Sequence, residues 1–136
     1  MALSGSIEDR LEIHELYALY ADASSSNRRQ QWLDCFTDDG QWNSHIFQCT
    51  GKDAIRAQGD VIMDMFDGLI FLSQTGPVTI DGDRATARSY AREIGNLKAG
   101  GVFKLAGAYE DTLRKENGRW LFEKRDYTPV VDEIPG

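Results

Sequence analysis

Two tyrosines one helical turn apart, Tyr17 and Tyr20, and two acids, Asp22 and Glu93, are the side chains of this sequence best suited to moving a proton. A buried phenol must find a hydrogen-bond partner or offer its hydroxyl to a ligand. A carboxylate in apolar surroundings holds its proton more tightly and becomes a useful base near neutral pH. Glu93 shares a strand face with the small residues Ala85, Ala87, Ser89 and Ala91. It reads either as a base pointing into a cavity or as half of an ion pair with a neighbouring arginine. Asp22 lies off the apolar stripe of its helix and reads as a second proton acceptor or as a solvated, capping carboxylate. Tyr109 and Asp111 fall on one face with Gly107, where the acid could orient the phenol; core packing and surface pairing are the competing readings. His14 and His45 stand alone and are expected at the surface or in an interface. Two lone histidines, with no carboxylates at ligand spacing, make no metal set. Gly100-Gly101 lacks the following helix and lysine of a phosphate loop, so no cofactor is expected.

These side chains need a helix and a sheet to hold them. Ile7, Leu11, Ile13, Leu16, Tyr17, Tyr20 and Ala23 recur at three- and four-residue steps, which predicts a helix from 7 to about 23, capped by Ser6 with Asp9 three residues on. Ser24-Ser25-Ser26-Asn27 breaks it. A short helix over about 28–36 turns Trp32, Cys35 and Phe36 inward, and Thr37 to Gly40 has turn chemistry. Residues 41–47 alternate as a strand, with Trp42, Ser44 and Ile46 on one face and Gln41, Asn43 and His45 on the other. Helical spacing returns over 53–66. Thereafter the period is two, and strands are predicted over 69–73, 78–80, 84–95, 102–113 and 120–127, with turns at Asp81-Gly82-Asp83 and Lys115-Glu116-Asn117-Gly118. Helices first and a meander afterwards make an α+β fold, its helices on one face of a curved, mostly antiparallel sheet.

At 136 residues, without repeats or a linker, the chain is expected to form one domain, 1–136. The net charge of −7, with basic residues scattered among acids, argues against nucleic acid as a partner. Nothing approaches a membrane span or a secretory signal, and Cys35 and Cys49 read as reduced thiols, so a cytoplasmic location is expected.

The run Ile13-x-x-Leu-Tyr, then Trp32-x-x-x-Phe36-Thr-Asp-Asp-Gly-x-Trp42, resembles the opening of the SnoaL-like proteins of the NTF2-like superfamily. Gly51-Lys-Asp-Ala-Ile55, Gly82-Asp-Arg-Ala85, Gly107-x-Tyr109-x-Asp111 and Gly118-x-Trp120 are similar to that family's later landmarks. The resemblance implies a cone, a strongly bent sheet wrapped round three N-terminal helices with a deep apolar cavity at its open end. It also implies association as a homo-oligomer, a dimer or trimer. Members include ketosteroid isomerase, scytalone dehydratase, lindane dehydrochlorinase and polyketide cyclases, as well as binding modules without catalysis.

Carried over, the resemblance places Tyr20 where the isomerase keeps its oxyanion-binding tyrosine, and Trp42 at a pocket tryptophan of the dehydrochlorinase. Elsewhere the pattern departs. Ser25 stands at the dehydratase and dehydrochlorinase aspartate, Phe71 or Gln74 at their histidine, and Ser44 at the isomerase base, while the isomerase's oxyanion aspartate falls near Gly107, with Tyr109 the closest phenol. The expectation is a cofactor-free cyclase, isomerase or dehydratase acting on a small apolar oxygenated metabolite. Tyr20 would be oxyanion donor, Glu93 or Asp22 proton acceptor, and Tyr17, Ser25, Trp42, Ser44, Phe71, Gln74 and Tyr109 the ligand's surroundings. A non-catalytic ligand-binding or interaction module is the alternative, because the usual aspartate and histidine are absent.

Overall fold

The computed structural model describes residues 3–133. Three helices, α1 (Ile7–Ser25), α2 (Arg29–Leu33) and α3 (Lys52–Met63), combine with six strands: β1 (Phe36–Asn43), β2 (Gln48–Thr50), β3 (Phe66–Asp81), β4 (Arg84–Leu97), β5 (Val102–Glu116) and β6 (Arg119–Glu133). The strands form one open sheet in the order β2-β1-β6-β5-β4-β3. All neighbours run antiparallel except β1 and β6, which are parallel with Trp42 opposite Arg125.

Ser6 caps α1, its hydroxyl accepting the Asp9 N–H at 3.0 Å. The buried stripe of α1 is Ile13, Leu16, Tyr17, Tyr20, Ala23 and Ser24. Ile7 and Leu11, expected on that stripe, are exposed. The inward position of the first turn is taken instead by Asp9, which accepts from Trp120 Nε1 and Lys115 Nζ, each at 2.9 Å. Helix α3 packs on α2 through Gly59, where a Cβ would come within 2.5 Å of the Trp32 ring.

The strands differ from the sequence reading in ways that matter for the cavity. Thr37 to Gly40 is the start of β1 rather than a turn, because the chain is already tied to β6 by the Phe122 N–H donating to the Cys35 carbonyl at 2.7 Å. The reading that ran one strand to Phe47 becomes two, β1 and β2, joined by a tight turn in which the Ser44 N–H donates to the Phe47 carbonyl at 2.9 Å. Helix α2 ends at Leu33 and α3 at Met63, so Phe36 and Phe66 open strands instead of closing helices. The two short strands expected over 69–80 are one, β3, with a register shift between Thr75 and Val78 around Pro77, the kind of irregularity in which a strand tolerates proline.

Strand β6 carries two further shifts. Leu113 faces Phe122 but Thr112 faces Lys124, and Gly107 faces Pro129 but Ala106 faces Val131. Each extra residue, Glu123 and then Val130, inverts the alternation of β6. Trp120 and Phe122 therefore share the concave face with Arg125, Tyr127 and Pro129, and after the second bulge with Asp132. The core gathers on this face: Ile13, Leu16, Trp32, Phe36, Ile55, Leu113 and Phe122 are all buried in one cluster with the α1 tyrosines.

Candidate active site

At the wide end of the concave face the helices stop short of filling the space, leaving a cavity of about 140 Å³. Tyr20 and Ser24 of α1, Trp32 of α2, Trp42 and Phe71 of the inner strand faces, and Met63, Phe66 and Phe103 form its largely apolar wall. An engineered apolar cavity of about 150 Å³ in another protein takes up benzene, so the volume suits a compact, ring-sized molecule. Trp42 is fixed edge-on against Trp32 (5.0 Å between centroids) and Phe47 (4.6 Å).

Into this wall β4 sends Glu93. The arginine nearest to it in the fold, Arg125, is paired with Asp111 at 2.8 Å, and its chain neighbour Arg92 is turned to the exposed face of β4. Glu93 is thus left without an ion-pair partner among the described residues. Burial pushes its carboxyl up to about 7, and the Arg125 charge only partly offsets this. Beside it stands Tyr127, whose ring lies flat over Gly107; a Cβ there would come within 2.7 Å of the Tyr127 Cζ and hydroxyl. The Tyr127 hydroxyl is buried and, among the described residues, has no hydrogen-bond partner. Burial, followed by the nearby Glu93 and Asp132 charges, holds it protonated as a donor. Tyr109 packs against Tyr127 with centroids 4.7 Å apart and is likewise kept neutral by burial.

Behind the cavity sits a buried polar cluster, in which Arg125 Nη1 has no hydrogen-bond partner among the described residues. Asp111 accepts from Tyr17 Oη (2.5 Å), Ser89 Oγ (2.9 Å) and Arg125 Nε (2.8 Å), all of them buried. The Arg125 guanidinium lies 3.8 Å from the Tyr109 ring centroid and 4.5 Å from that of Tyr20, so two cavity phenols rest on a buried cation. At the opposite end, the mouth, His45 Nε2 lies 3.0 Å from Asp132 Oδ2, and both side chains belong to the cavity wall.

Of the residues singled out in the sequence, Tyr20, Glu93, Trp42, Ser44, Phe71 and Tyr109 line the cavity. Four do not. The Tyr17 hydroxyl is turned away into the Asp111 cluster. Asp22 is exposed at the helix end. Ser25 spends its hydroxyl on the backbone of Phe71, accepting its N–H at 2.8 Å and donating to its carbonyl at 3.3 Å. Gln74 is exposed on the outer face of β3, opposite Tyr90. Asp111, expected in part as a surface acid, is among the most buried residues. Three of the cavity's ionisable residues were not expected there: His45, Tyr127 and Asp132. A turn bend brings in the first and a bulge the last. Tyr127 sits one strand over from Tyr109 in register, a pairing that Gly107, the small residue beneath its ring, could have signalled.

A bent, open mixed sheet cupping an apolar cavity behind three helices, the third of which follows β1 and β2, defines the NTF2-like class of cone folds. The chain belongs to the SnoaL-like domain family, whose pattern matches residues 5–126. Among solved structures it is similar to a protein of Novosphingobium aromaticivorans provisionally designated scytalone dehydratase (21% identity, TM-score 0.87, covering 96% of this chain and 91% of that one). It is also similar to a type 2 hexachlorocyclohexane dehydrochlorinase (17% identity, TM-score 0.80, covering 95% of each chain). A protein of unknown function from Mycobacterium tuberculosis shares 26% identity at a TM-score of 0.80, covering 96% of this chain and 78% of that one. No curated protein matches the sequence. Among the described residues no helix is long and apolar enough to cross a membrane.

Proposed function

We propose that the protein is a cofactor-free acid–base enzyme of the lyase or isomerase type, acting on a small, mostly apolar, oxygenated molecule held in the cavity. Glu93 is the proton acceptor, the Tyr127 hydroxyl, with Tyr20 and Tyr109, donates to the oxygen on which charge develops, and Trp42 and Phe71 wall the substrate. The observation that carries this reading is an unpaired carboxyl and an unpaired phenol on the wall of one apolar cavity, the phenol within reach of the carboxyl's charge. Asp111 has both carboxylate oxygens engaged, by Tyr17, Ser89 and Arg125; groups left open in an apolar site are available to a ligand. The resemblance to a dehydratase and a dehydrochlorinase in fold supports the same class of chemistry.

A nitrobenzisoxazole tests it. A base removes the ring C–H proton, the N–O bond breaks, a nitrile forms and the electron pair ends on a coloured phenolate. Turnover is expected to rise with pH through about 7 as Glu93 ionises, and Glu93→Gln should lower it by about 10²-fold or more. Wild-type turnover no greater than that of Glu93→Gln would overturn the assignment. A second reading, a ligand-binding module without chemistry, is favoured by Ser25, whose hydroxyl is already spent on Phe71; it expects the probe to bind without being turned over. Exposed Ile70, Leu72, Tyr90 and Val130 on the sheet support a homo-oligomer built through its outer face, which sedimentation of the purified protein reads. The free thiols of Cys35 and Cys49 support a cytoplasmic location.

A further inference from the structure

The mouth of the cavity holds a second pair of ionisable groups that the chemistry assigned to Glu93 leaves unused. His45 sits in the turn joining β1 to β2, which is closed by the Ser44–Phe47 hydrogen bond and pinned by the Ile46 N–H donating to Ser44 Oγ at 3.2 Å. Asp132, 3.0 Å from His45 Nε2, lies near the end of β6. Asp132 faces inward only because of the second β6 bulge: without the extra residue Val130, Val131 would take the concave face and Asp132 the outer one. Bulges commonly re-aim a side chain beside a functional site. The register then sets Glu93 of β4, Leu105 of β5 and Asp132 of β6 in one row across the same face. With strands about 4.8 Å apart, the backbones of the two acids stand about 10 Å from each other, which leaves room for a molecule of one or two rings between Glu93 and the His45–Asp132 pair.

We propose that His45, held by Asp132, is a second acid–base group of this site and serves the end of the substrate opposite Glu93. The inference rests on the reading of Glu93 as the base. Glu93 takes a proton from carbon, and the electron pair moves through the substrate to the oxygen that leaves or gains charge. That oxygen meets the Tyr127 hydroxyl, between Glu93 and Asp132, on its inner side and takes a proton from His45 at the mouth. As the imidazolium, His45 donates Nε2–H to Asp132 and delivers its Nδ1 proton to the substrate oxygen, returning to the neutral ring; Asp132 is a positioning residue that steadies the cation. An imidazole exchanges protons near neutral pH. Both side chains of the pair are 33% exposed, so a proton given up by His45 can be replaced from solvent. The groups facing this pair are Glu93 from β4 and Tyr127 from β6, the latter feeling both the Glu93 and Asp132 charges. The substrate class that fits is a compact apolar skeleton with its departing or charge-bearing oxygen displayed at the mouth.

A series of benzisoxazoles whose leaving phenols range from acidic (nitro) to weakly acidic (unsubstituted) separates the two groups. His45→Gln should slow the unsubstituted probe by about 10²-fold but the nitro probe by no more than about threefold, because only the poor leaving oxygen needs a proton. Asp132→Ala should steepen the same dependence. In its ¹⁵N spectrum the proton of the neutral His45 ring, held on Nε2 by Asp132 in the wild type, should be shared between both nitrogens, while the leaving-group dependence is the readout that loss of a merely structural tie would not move. An unchanged dependence in His45→Gln, with turnover still abolished in Glu93→Gln, overturns the role of His45 and leaves Glu93 standing. No turnover in the wild type overturns both.

Discussion

Two carboxylates on the concave face of one sheet, Asp111 and Glu93, are treated by the fold in opposite ways. Asp111 is closed on every side, by Tyr17, by Ser89 and by the Arg125 guanidinium, itself capped by aromatic rings. Glu93, on the neighbouring strand, has apolar walls, an unpaired phenol and no cation of its own. A buried carboxylate with its hydrogen bonds complete is part of the scaffold; a half-buried acid without them, in apolar surroundings, is raised in pKa and left for a ligand. Position along the sheet decides which fate each meets. Asp111 lies opposite Arg125 in register, whereas the row of Glu93 runs out to Leu105 and the mouth.

The sharpest way to break this contrast is to remove Asp111. Asp111→Ala leaves Arg125 buried with an uncompensated charge and should cost about 3–5 kcal/mol of stability, enough to unfold a marginal domain. Denaturant titration reads it, and a loss below about 1 kcal/mol would show the cluster to be solvated. Glu93→Gln should behave the other way. The folded-state pKa of Glu93 lies above its ordinary 4.5, so the native protein binds the extra proton between 4.5 and about 7. Wild-type stability should therefore fall as pH rises across that window, on the order of 2 kcal/mol, and Glu93→Gln should abolish the slope. Equal slopes in the two proteins would place Glu93 in water. Smallest is Tyr127→Phe. Deleting a buried hydroxyl that has no partner should leave stability unchanged or raise it by up to about 1 kcal/mol, while weakening the binding of a ring-bearing ketone or phenol, measured calorimetrically. A clear loss of stability would reveal a partner for that hydroxyl in the folded protein.

Much of the contrast was legible before folding. The small-residue face of β4 marked Glu93 as inward, and the uninterrupted pairing of β4 with β5 from Arg84 to Asn96 preserves that alternation. The stripe of α1 located Tyr20, although its first turn is taken by Asp9 where Ile7 and Leu11 were expected. What the residues could not reveal is where β6 changes phase. Glu123 and Val130 carry no turn chemistry, yet each inserts one residue and turns every following side chain over. Arg125 thereby enters the concave face, where simple alternation from Trp120 and Phe122 sets it outside; the first bulge alone would turn Asp132 out, and the second brings it back in. Tyr17 was misplaced for a related reason: its stripe was correct, but the partner that claims its hydroxyl lies across a sheet whose register was unknown.

The central claim is that Glu93 stands protonated or ionised near neutrality inside an apolar site. ¹³C-carboxyl NMR of the native protein, with the Glu93 resonance assigned by its loss in Glu93→Gln, measures this directly. A titration midpoint at about 7 is the expected result, and a midpoint near the ordinary 4.5 contradicts it.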